Sequence, residues 1–420
     1  MTSSFRVFVQ IGATRDGLDP YLDAAHERSM PAVLVETPPY LRLRRMLGRR
    51  LFDIEIPVAR PADAEEVHRA LAATGHAAAL VLPGFERYTT SAHAVAARLC
   101  VPPCDGAVGH FVPPDKARQR RLLATHAPTL SQPAHVVVPL GAAAERMDLA
   151  RVRFPAVVKP SNGGGGLGVS RVDDPAQLEY AFGKLRELRN YDGSPFEHVV
   201  VEDYVEGVEF SIQALAHRGC ATVLTACEKI IVHERDGGFR EAAHIVVPRG
   251  PATEELETFA QRCLDATGYE NGPFHVDLIR NERGLHFIEM GFRLSGGGIV
   301  GLVQRATGLR WAELSFQAHL DDRAPVLVER RAGCVGQATL ASSEEMAAAE
   351  RLRARGLRVE IERFRQTDPA LDGDGGVMDA SLASDRLRHA GFAGRVILHA
   401  RDCDEARAHL RGCLAARLGA

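Results

Sequence analysis

The chain of 420 residues lacks the features that would place it in several specialised classes of protein. No apolar run approaches the roughly 20 residues that a membrane-spanning helix needs. The formal net charge of −3 gives no basic excess, which argues against a nucleic-acid-binding surface. We therefore expect neither a membrane nor a nucleic acid among its partners.

Cysteine pairs with metal-ligand spacing are also missing. The eight cysteines are scattered without a CxxC pair. Cys100 and Cys104 stand closest, and a lone pair does not make a zinc site. Reduced thiols are the default in such a chain. The N-terminal residues lack the apolar segment of a signal peptide, so we expect a cytoplasmic protein.

Apolar runs and helical stretches alternate over the first part of the chain. The runs cover residues 6–12, 32–35, 52–56 and 78–82, with a helix predicted over 62–74. This alternation predicts a small Rossmann-like parallel α/β domain over residues 1–110.

The remainder changes from mixed to mostly β-type patterning. Residues 111–200 contain predicted helices at 115–126 and 175–189, and a strand that carries Lys159. Residues 201–324 alternate as β-strands do, and residues 325–420 have the pattern of a mixed α/β module that ends in a long helix. The predicted fold is thus α/β and α+β with several domains, as a length of this order allows.

A lysine at the end of an apolar run is followed at once by a glycine-rich loop. Lys159 precedes a loop that contains Gly163, Gly164, Gly165 and Gly166. Glycine lets backbone N–H groups approach a polyphosphate closely, and a lysine ammonium pairs with phosphate oxygens. The order differs from a Walker loop, in which the lysine follows the glycines. The pattern indicates a nucleotide-phosphate clamp, with a plain surface loop as the alternative.

Two acids lie inside otherwise apolar strands that a short turn joins. If the hairpin pairs Asn281 with Leu285, Asp277 falls directly opposite Glu289, whereas a slip of one residue separates them. Facing carboxylates repel unless a cation lies between them, and hard oxygen ligands suit Mg²⁺. The alternative is an exposed hairpin with two solvated acids.

Three further segments are weak signals when each is taken alone. Arg293 leads into a second glycine-rich loop, where its guanidinium would stabilise a phosphoryl group or an oxyanion, or else form a structural ion pair. The linker at 202–209 would offer backbone groups to an adenine edge, and Glu209 would accept from ribose hydroxyls. Asp115-Lys116 by itself is an ordinary start of a charged helix.

In their order, these pieces resemble the ATP-grasp superfamily, and the resemblance spans about residues 110–315. It implies an N-terminal α/β domain, a central two-lobed ATP-grasp and a C-terminal α/β module. It also implies roles for particular residues: ATP binding by Lys116, Lys159, Gly163 to Gly166, Glu202, Val205 and Glu209, metal binding by Asp277 and Glu289, and catalysis by Arg293.

The resemblance is to carboxylate–amine ligases, and among them to ligases of L-amino acids. It implies ATP and Mg²⁺ as cofactors, with one or two ions and with Mn²⁺ as a substitute. Its partners would be a small carboxylate and an amine, joined through an acyl phosphate while loops at 163–168 and 233–240 exclude water. Many members dimerise, so a homodimer is also an expectation.

One departure from the superfamily pattern concerns the metal. The usual Glu-x-Asn-x-Arg reads Glu289-Met290-Gly291-Phe292-Arg293 here, so the Asn that helps to hold a second ion is missing. A catalytically silent ATP-binding protein is therefore an alternative. Another is a carboxylase that activates bicarbonate. A dehydrogenase is disfavoured, because the strand ending at Gly12 lacks GxGxxG.

Overall fold

The computed structural model describes residues 6–103, 115–141, 152–190, 193–233, 237–327, 334–364 and 392–419. The predicted boundary near residue 110 lies outside these ranges, as do residues 234–236 of the predicted closing loop. Within the described ranges, no helix is both long enough and apolar enough to cross a membrane.

The first unit is the predicted parallel α/β sheet, with strand order β3-β2-β1-β4. The central strands β1 and β2 are buried on both faces, as in a parallel sheet covered by helices on either side. A short 3₁₀ helix, Glu86–Tyr88, follows the last strand at the carboxyl edge of the sheet. The elements run in the order β1 (Arg6–Ile11), α1 (Pro20–Glu27), β2 (Ala32–Glu36), α2 (Pro38–Met46), β3 (Ile54–Pro57), α3 (Ala64–Thr74), β4 (Ala77–Pro83) and α4 (Thr89–Leu99).

The second unit is a four-stranded antiparallel sheet of order β5-β8-β6-β7. Helix α6 packs on this sheet, whereas α5, which precedes its strands in the chain, packs against α7 (Pro251–Thr267) and β13 (Gly284–Gly291). Both helices begin at an acidic cap: Asp115 accepts from the Arg118 N–H group, and Asp174 accepts from the Gln177 N–H group. The elements are α5 (Lys116–His126), β5 (His135–Pro139), β6 (Ala156–Pro160), β7 (Ser170–Val172), α6 (Pro175–Glu187) and β8 (His198–Asp203).

The rest of the chain builds an eight-stranded antiparallel sheet of order β13-β12-β9-β10-β11-β14-β16-β15. The predicted long terminal helix ends at Cys413, and a four-residue helix follows it. The elements are β9 (Val208–His217), β10 (Cys220–His233), β11 (Phe239–Val247), α7 (Pro251–Thr267), β12 (Gly272–Asn281), β13 (Gly284–Gly291), α8 (Ile299–Thr307), α9 (Trp311–Leu320), β14 (Cys334–Leu340), α10 (Ser343–Ala354), β15 (Arg358–Arg363), β16 (Gly394–Ala400), α11 (Cys403–Cys413) and α12 (Ala415–Leu418).

This sheet continues across residue 325. β11 pairs with β14, and Ala243 lies opposite Ala338. Strands of the predicted second lobe and of the predicted C-terminal module therefore share one sheet. The fold class is the predicted one, α/β and α+β, and it is realised as a parallel α/β unit followed by two antiparallel sheets with helices.

Helix α9 packs the first unit onto the large sheet. Trp311 is fully buried, and its indole N–H donates to the Ala214 carbonyl of β9 at 3.1 Å. The Phe316 ring on the same helix lies 4.9 Å from the Phe8 ring of β1. Because α9 contacts both sheets, the residues of the short helix that follows β4 lie close to the large sheet.

Candidate active site

The hairpin of β12 and β13 places Asp277 directly opposite Glu289, as predicted. The turn, however, is one residue shorter than the predicted register required, since Asn281 pairs with Gly284 rather than with Leu285. Gly284 has φ +109°, which the tight turn needs and which glycine tolerates. An irregularity between Asp277 and Leu278 then shifts the register by one residue and restores the pairing of the two acids.

Alternation along the same strands separates a core face from a polar face. Val276 and Leu278 are fully buried in the hydrophobic core of the large sheet. Asp277 points to the opposite face, where its cross-strand neighbour on β9 is Ser211. The polar face of the large sheet is therefore the floor of the candidate site.

Lys229 of β10 lies at the centre of this face. Its ammonium contacts the carboxylates of Glu209, Glu241 and Asp277, each at 2.8 Å. Burial opposes its charge, but the three carboxylates outweigh burial and raise the pKa of Lys229 well above its usual value. The lysine is thus held charged among the acids.

The carboxylates around Lys229 also form a donor set that fits a divalent cation. One oxygen from each of Glu209, Glu241 and Asp277 lies within 4.8 Å of the others. Asp277 Oδ1 is buried and has no hydrogen-bond partner among the described residues. Hard oxygen donors of this kind suit Mg²⁺. Burial and the neighbouring acids raise the pKa of Glu209 against the charge of Lys229.

Glu289 is held by Lys116, the first residue of helix α5. Its carboxylate lies 2.8 Å from Lys116 Nζ, which also donates to the Gly163 carbonyl at 2.5 Å. Burial raises the pKa of Glu289, but Lys116 and the more distant Lys159 and Lys229 lower it further, to about 2. Lys116 thereby joins the glycine loop to the hairpin.

Lys159 is buried beside the end of β8. Its ammonium lies 2.5 Å from Glu202, which is also paired with Arg120 at 2.7 Å. Burial lowers the pKa of Lys159 against the charge of Glu202. The carboxylate of Glu202 therefore faces two cations inside the fold, and Val205 lies in the half-exposed linker that follows.

The glycine loop crosses from the smaller sheet toward the larger one. Gly165, Gly166 and Gly168 have φ of +61°, +75° and +73°. A Cβ at Gly166 would lie 3.3 Å from the Phe239 carbonyl of β11, whereas Gly164 has open space around it. The loop is thus close to the large sheet at Gly166 and unobstructed at Gly164.

Arg293 is paired with a residue from the first unit. Its Nε lies 2.7 Å from Glu86 Oε2, and its Nη1 donates to the Leu294 carbonyl at 2.6 Å. Glu86 follows β4 at the carboxyl edge of the parallel sheet, where ligands of open α/β sheets commonly bind. The guanidinium therefore lies where the first unit meets the hairpin.

Residues 152–300 match the family model of the ATP-grasp domain. The chain carries an ATP-grasp domain. This range contains Lys159, the glycine loop, the linker, the hairpin and Arg293, and the Lys116 helix lies just before it.

Curated relatives of the ATP-grasp domain are matched over part of their length. Dapdiamide A synthase of Enterobacter agglomerans is 26% identical over 159 residues, which are 37% of this chain and 37% of that protein. The D-alanine–D-alanine ligase of Xanthomonas axonopodis pv. citri is 38% identical over 88 residues, 20% of this chain and 26% of that ligase. The chain thus matches about a third of the length of these relatives.

Solved structures resemble the whole fold. An L-amino acid ligase from Bacillus licheniformis has a TM-score of 0.70 with 18% identity, covering 98% of each chain. The ADP complex of an N5-carboxyaminoimidazole ribonucleotide synthetase has a TM-score of 0.67 with 14% identity, covering 97% of this chain and 96% of that one. At such identity the likeness concerns the fold.

Sequence reasoning assigned no role to three charged residues near this site, which are Lys229, Glu241 and Glu86. Lys229 and Glu241 stand inside apolar strands, the same signal that drew attention to Asp277. Glu86 has no comparable local signal, because it follows a strand of another unit and meets Arg293 only in the folded chain.

Proposed function

We propose that this protein is an ATP-dependent carboxylate–amine ligase. It would join two small molecules, with amino acids as the first candidates, through an acyl phosphate, and release ADP and phosphate. The observation that carries the proposal is the position of Lys116, which contacts both the glycine loop and Glu289. That contact brings the glycine loop and the hairpin together, as a phosphate-binding loop and a metal-binding hairpin would have to be.

The charged residues divide into two groups with separate tasks. Lys159 and Lys116 lie beside the glycine loop and would bind the phosphates of ATP. Lys229, Asp277 and Glu289 lie on the floor opposite the loop. The chemistry that Mg²⁺ supplies when bound is neutralisation and alignment of the β- and γ-phosphate oxygens. Asp277 and Glu289 would hold it, with Glu209 and Glu241 beside them.

The proposed reaction uses both groups of residues, one for the phosphates and one for the metal. A substrate carboxylate oxygen bonds to the γ-phosphorus, the bond to the ADP oxygen breaks, and an acyl phosphate forms. The amine nitrogen then bonds to the acyl carbon and loses a proton to water or to a substrate group. Collapse of the tetrahedral intermediate releases phosphate and leaves an amide. Arg293 would stabilise the oxyanion of that intermediate.

The names of the relatives support a ligase over the alternative functions, a carboxylase and a silent ATP-binding protein. Dapdiamide A synthase, D-alanine–D-alanine ligase and L-amino acid ligase bear names of amide-forming enzymes. A carboxylase is the second candidate, since a segment of 152 residues is 30% identical to acetyl-CoA carboxylase of Dictyostelium discoideum, covering 34% of this chain and 6% of that protein. The presence of both lysines, both acids and Arg293 weighs against a silent ATP-binding protein.

One experiment tests these candidates together. ADP release from Mg²⁺-ATP is measured across the twenty amino acids, singly and in pairs, with and without bicarbonate. We expect release that requires a carboxylate and an amine partner. Release that requires bicarbonate instead would move the protein to carboxylation. ATP binding without release under any condition, including mixtures of other small carboxylates and amines, would contradict the ligase assignment.

Two glutamine substitutions on one hairpin, a test and its control, check the metal assignment. Glu289→Gln removes the charge that would hold the metal, so turnover should disappear. Glu282→Gln makes the same chemical change in the exposed turn of the same hairpin, and should leave turnover unchanged.

A further inference from the structure

Two cysteine sulfur atoms are in contact in the C-terminal part of the large sheet. Cys334 Sγ donates to Cys403 Sγ at 3.1 Å, and both side chains are free thiols. Cys334 begins β14, and Cys403 begins α11. The strand register explains the contact, because Cys334 pairs with Ala400 of β16 and the chain enters α11 three residues later. The fold therefore brings together two thiols that are 69 positions apart in the sequence.

A shared acceptor holds both sulfur atoms in this place. The Val246 carbonyl oxygen of β11 lies 3.4 Å from Cys334 Sγ and 3.5 Å from Cys403 Sγ. A disulfide has an S–S distance of about 2.05 Å, so the two sulfur atoms need to approach each other by only about 1 Å. In the part of the chain that the structure describes, no second pair of cysteine sulfur atoms is in hydrogen-bonding contact. Small side-chain rotations therefore separate this one pair from a disulfide.

The two thiols differ in exposure and in acidity. Cys334 is buried, whereas Cys403 is half-buried. The hydrogen bond from Cys334 lowers the pKa of Cys403 below its usual value, burial opposes this, and the guanidinium of Arg407 on the next turn of α11 adds to the lowering. The same hydrogen bond, together with burial, raises the pKa of Cys334. Since the thiolate is the nucleophilic form of cysteine, Cys403 is the thiol that reacts first with a small oxidant.

We propose that Cys334 and Cys403 form a site of reversible oxidation, at which hydrogen peroxide converts the two thiols to a disulfide. The Cys403 sulfur attacks one peroxide oxygen, the O–O bond breaks, and a sulfenic acid and water form. The Cys334 sulfur then displaces the hydroxyl group from the Cys403 sulfur. The S–S bond forms, and the proton of the Cys334 thiol leaves with that hydroxyl group as a second water. Two electrons thus pass from the two thiols to one peroxide molecule.

The disulfide fastens α11 to β14, away from the candidate active site. Cys334 packs in the same hydrophobic cluster as Ala406 and Leu410 of α11, so the bond joins elements that already pack together. The contacts that carry the inference involve neither the acids around Lys229 nor the glycine loop. The inference therefore stands or falls independently of the proposed function.

The test is oxidation of the full-length protein by hydrogen peroxide, followed by alkylation of the remaining thiols and peptide mapping without reduction. We expect a cross-link within one molecule between the peptides that contain Cys334 and Cys403, and recovery of both thiols after treatment with dithiothreitol. Since the test uses the native protein, it does not depend on the folding of any variant. Oxidation of the exposed Cys220 under conditions that leave both thiols free would overturn the proposal. Conversion of Cys403 to a sulfinic acid without a cross-link would overturn it as well.

Serine variants assign the order of the two steps. In Cys334→Ser the sulfenic acid has no thiol to react with, so dimedone, which labels sulfenic acids, should label Cys403. In Cys403→Ser the buried Cys334 should stay unlabelled. Cys220→Ser replaces an exposed thiol at the start of β10 and is the matched control, which should form the disulfide at the native rate. Labelling of Cys334 in Cys403→Ser, with none of Cys403 in Cys334→Ser, would contradict attack by Cys403.

The melting temperature checks whether the fold accepts the bond. The disulfide closes a loop of about 70 residues in the unfolded chain, so the oxidised protein should melt at a higher temperature than the reduced protein. Cys334→Ser should show no such rise after the same peroxide treatment. A cross-linked protein that melted below the reduced one would mean that the two sulfur atoms meet only when the fold is distorted, which would contradict the inferred geometry.

Discussion

The ammonium of Lys229 lies 2.8 Å from Asp277 Oδ2, and two further carboxylates contact it at the same distance. A side-chain cation is thus surrounded by the acids that would also bind a metal. A metal that enters this cluster must share the carboxylates with the lysine or displace it from some of them.

Replacement of Lys229 by Met should therefore change metal dependence as well as stability. The substitution leaves Glu209, Glu241 and Asp277 without their cation, and loss of one partner of a buried ion pair costs about 3–5 kcal/mol. We expect the free energy of unfolding to fall by an amount of this order without metal, and Mg²⁺ to restore part of it. Urea unfolding with and without Mg²⁺ measures both effects.

Lys184→Met is the control, because Lys184 is an exposed lysine on α6. It should unfold like the native protein under both conditions. If Mg²⁺ stabilised the native protein and Lys229→Met equally, the acids around Lys229 would not be a metal site.

The buried triad of Glu202, Lys159 and Arg120 gives a prediction about pH. Burial raises the pKa of Glu202, but Arg120 and Lys159 lower it by more, so its pKa in the folded protein is below the usual value. The unfolded chain then binds more protons, and stability falls as pH falls. This contribution is complete above the unfolded pKa of about 4.3 and disappears as pH drops through the lower folded pKa.

Glu202→Gln should thus be less stable than the native protein at pH 7 by about 3–5 kcal/mol, because two buried cations lose their partner. The difference should shrink below about pH 4.3, as the native carboxylate becomes protonated. Asp203→Asn is the neighbouring control, since its partner Arg153 is mostly exposed, and it should cost less than about 1 kcal/mol. A difference that widened in acid would reverse the assigned direction of the pKa.

The hairpin illustrates how far the sequence could predict the site. The alternation within the two apolar strands was enough to predict that Asp277 lies opposite Glu289. The actual register was not predictable, since the shorter turn and the strand irregularity cancel each other and leave the same pair facing. The alternation of apolar and polar residues predicts the face on which a side chain lies. It does not predict two register changes that cancel each other.

Contacts between units escaped prediction for a different reason. Glu86 reaches Arg293 because α9 packs the parallel sheet against the large one, and no local pattern encodes that packing. The continuation of the sheet from β11 into β14 is of the same kind. By contrast, the parallel first unit was predicted because its strands and helices alternate along the chain.

The pairing of Arg293 with Glu86 predicts that charge alone will not suffice at position 293. Arg293→Lys keeps a cation but loses the Nε and Nη1 contacts to Glu86 and Leu294. We expect turnover to fall about 10²–10³-fold, as when a donor to an oxyanion is removed, with ATP affinity nearly unchanged. Steady-state ADP release and calorimetric ATP binding separate the two quantities.

Arg305→Lys is the matched control, because Arg305 of α8 forms a partly exposed ion pair with Glu360 of β15, away from the hairpin. It should leave both quantities unchanged. Native turnover in Arg293→Lys would reduce the arginine to a structural ion pair.

The glycine loop allows binding to be separated from folding by two single-methyl additions. Gly168 has φ +73°, and its Cβ would lie 2.5 Å from Leu185 Cδ2, so Gly168→Ala should lower the melting temperature. Gly164 has open space around it, so Gly164→Ala should keep the native melting temperature. If the loop closes on phosphates through its backbone, the added methyl at 164 should still weaken ATP binding several-fold, because it keeps the backbone N–H groups at a distance. Calorimetry with an ATP analogue measures this, and native affinity in Gly164→Ala would mean that the phosphates bind elsewhere.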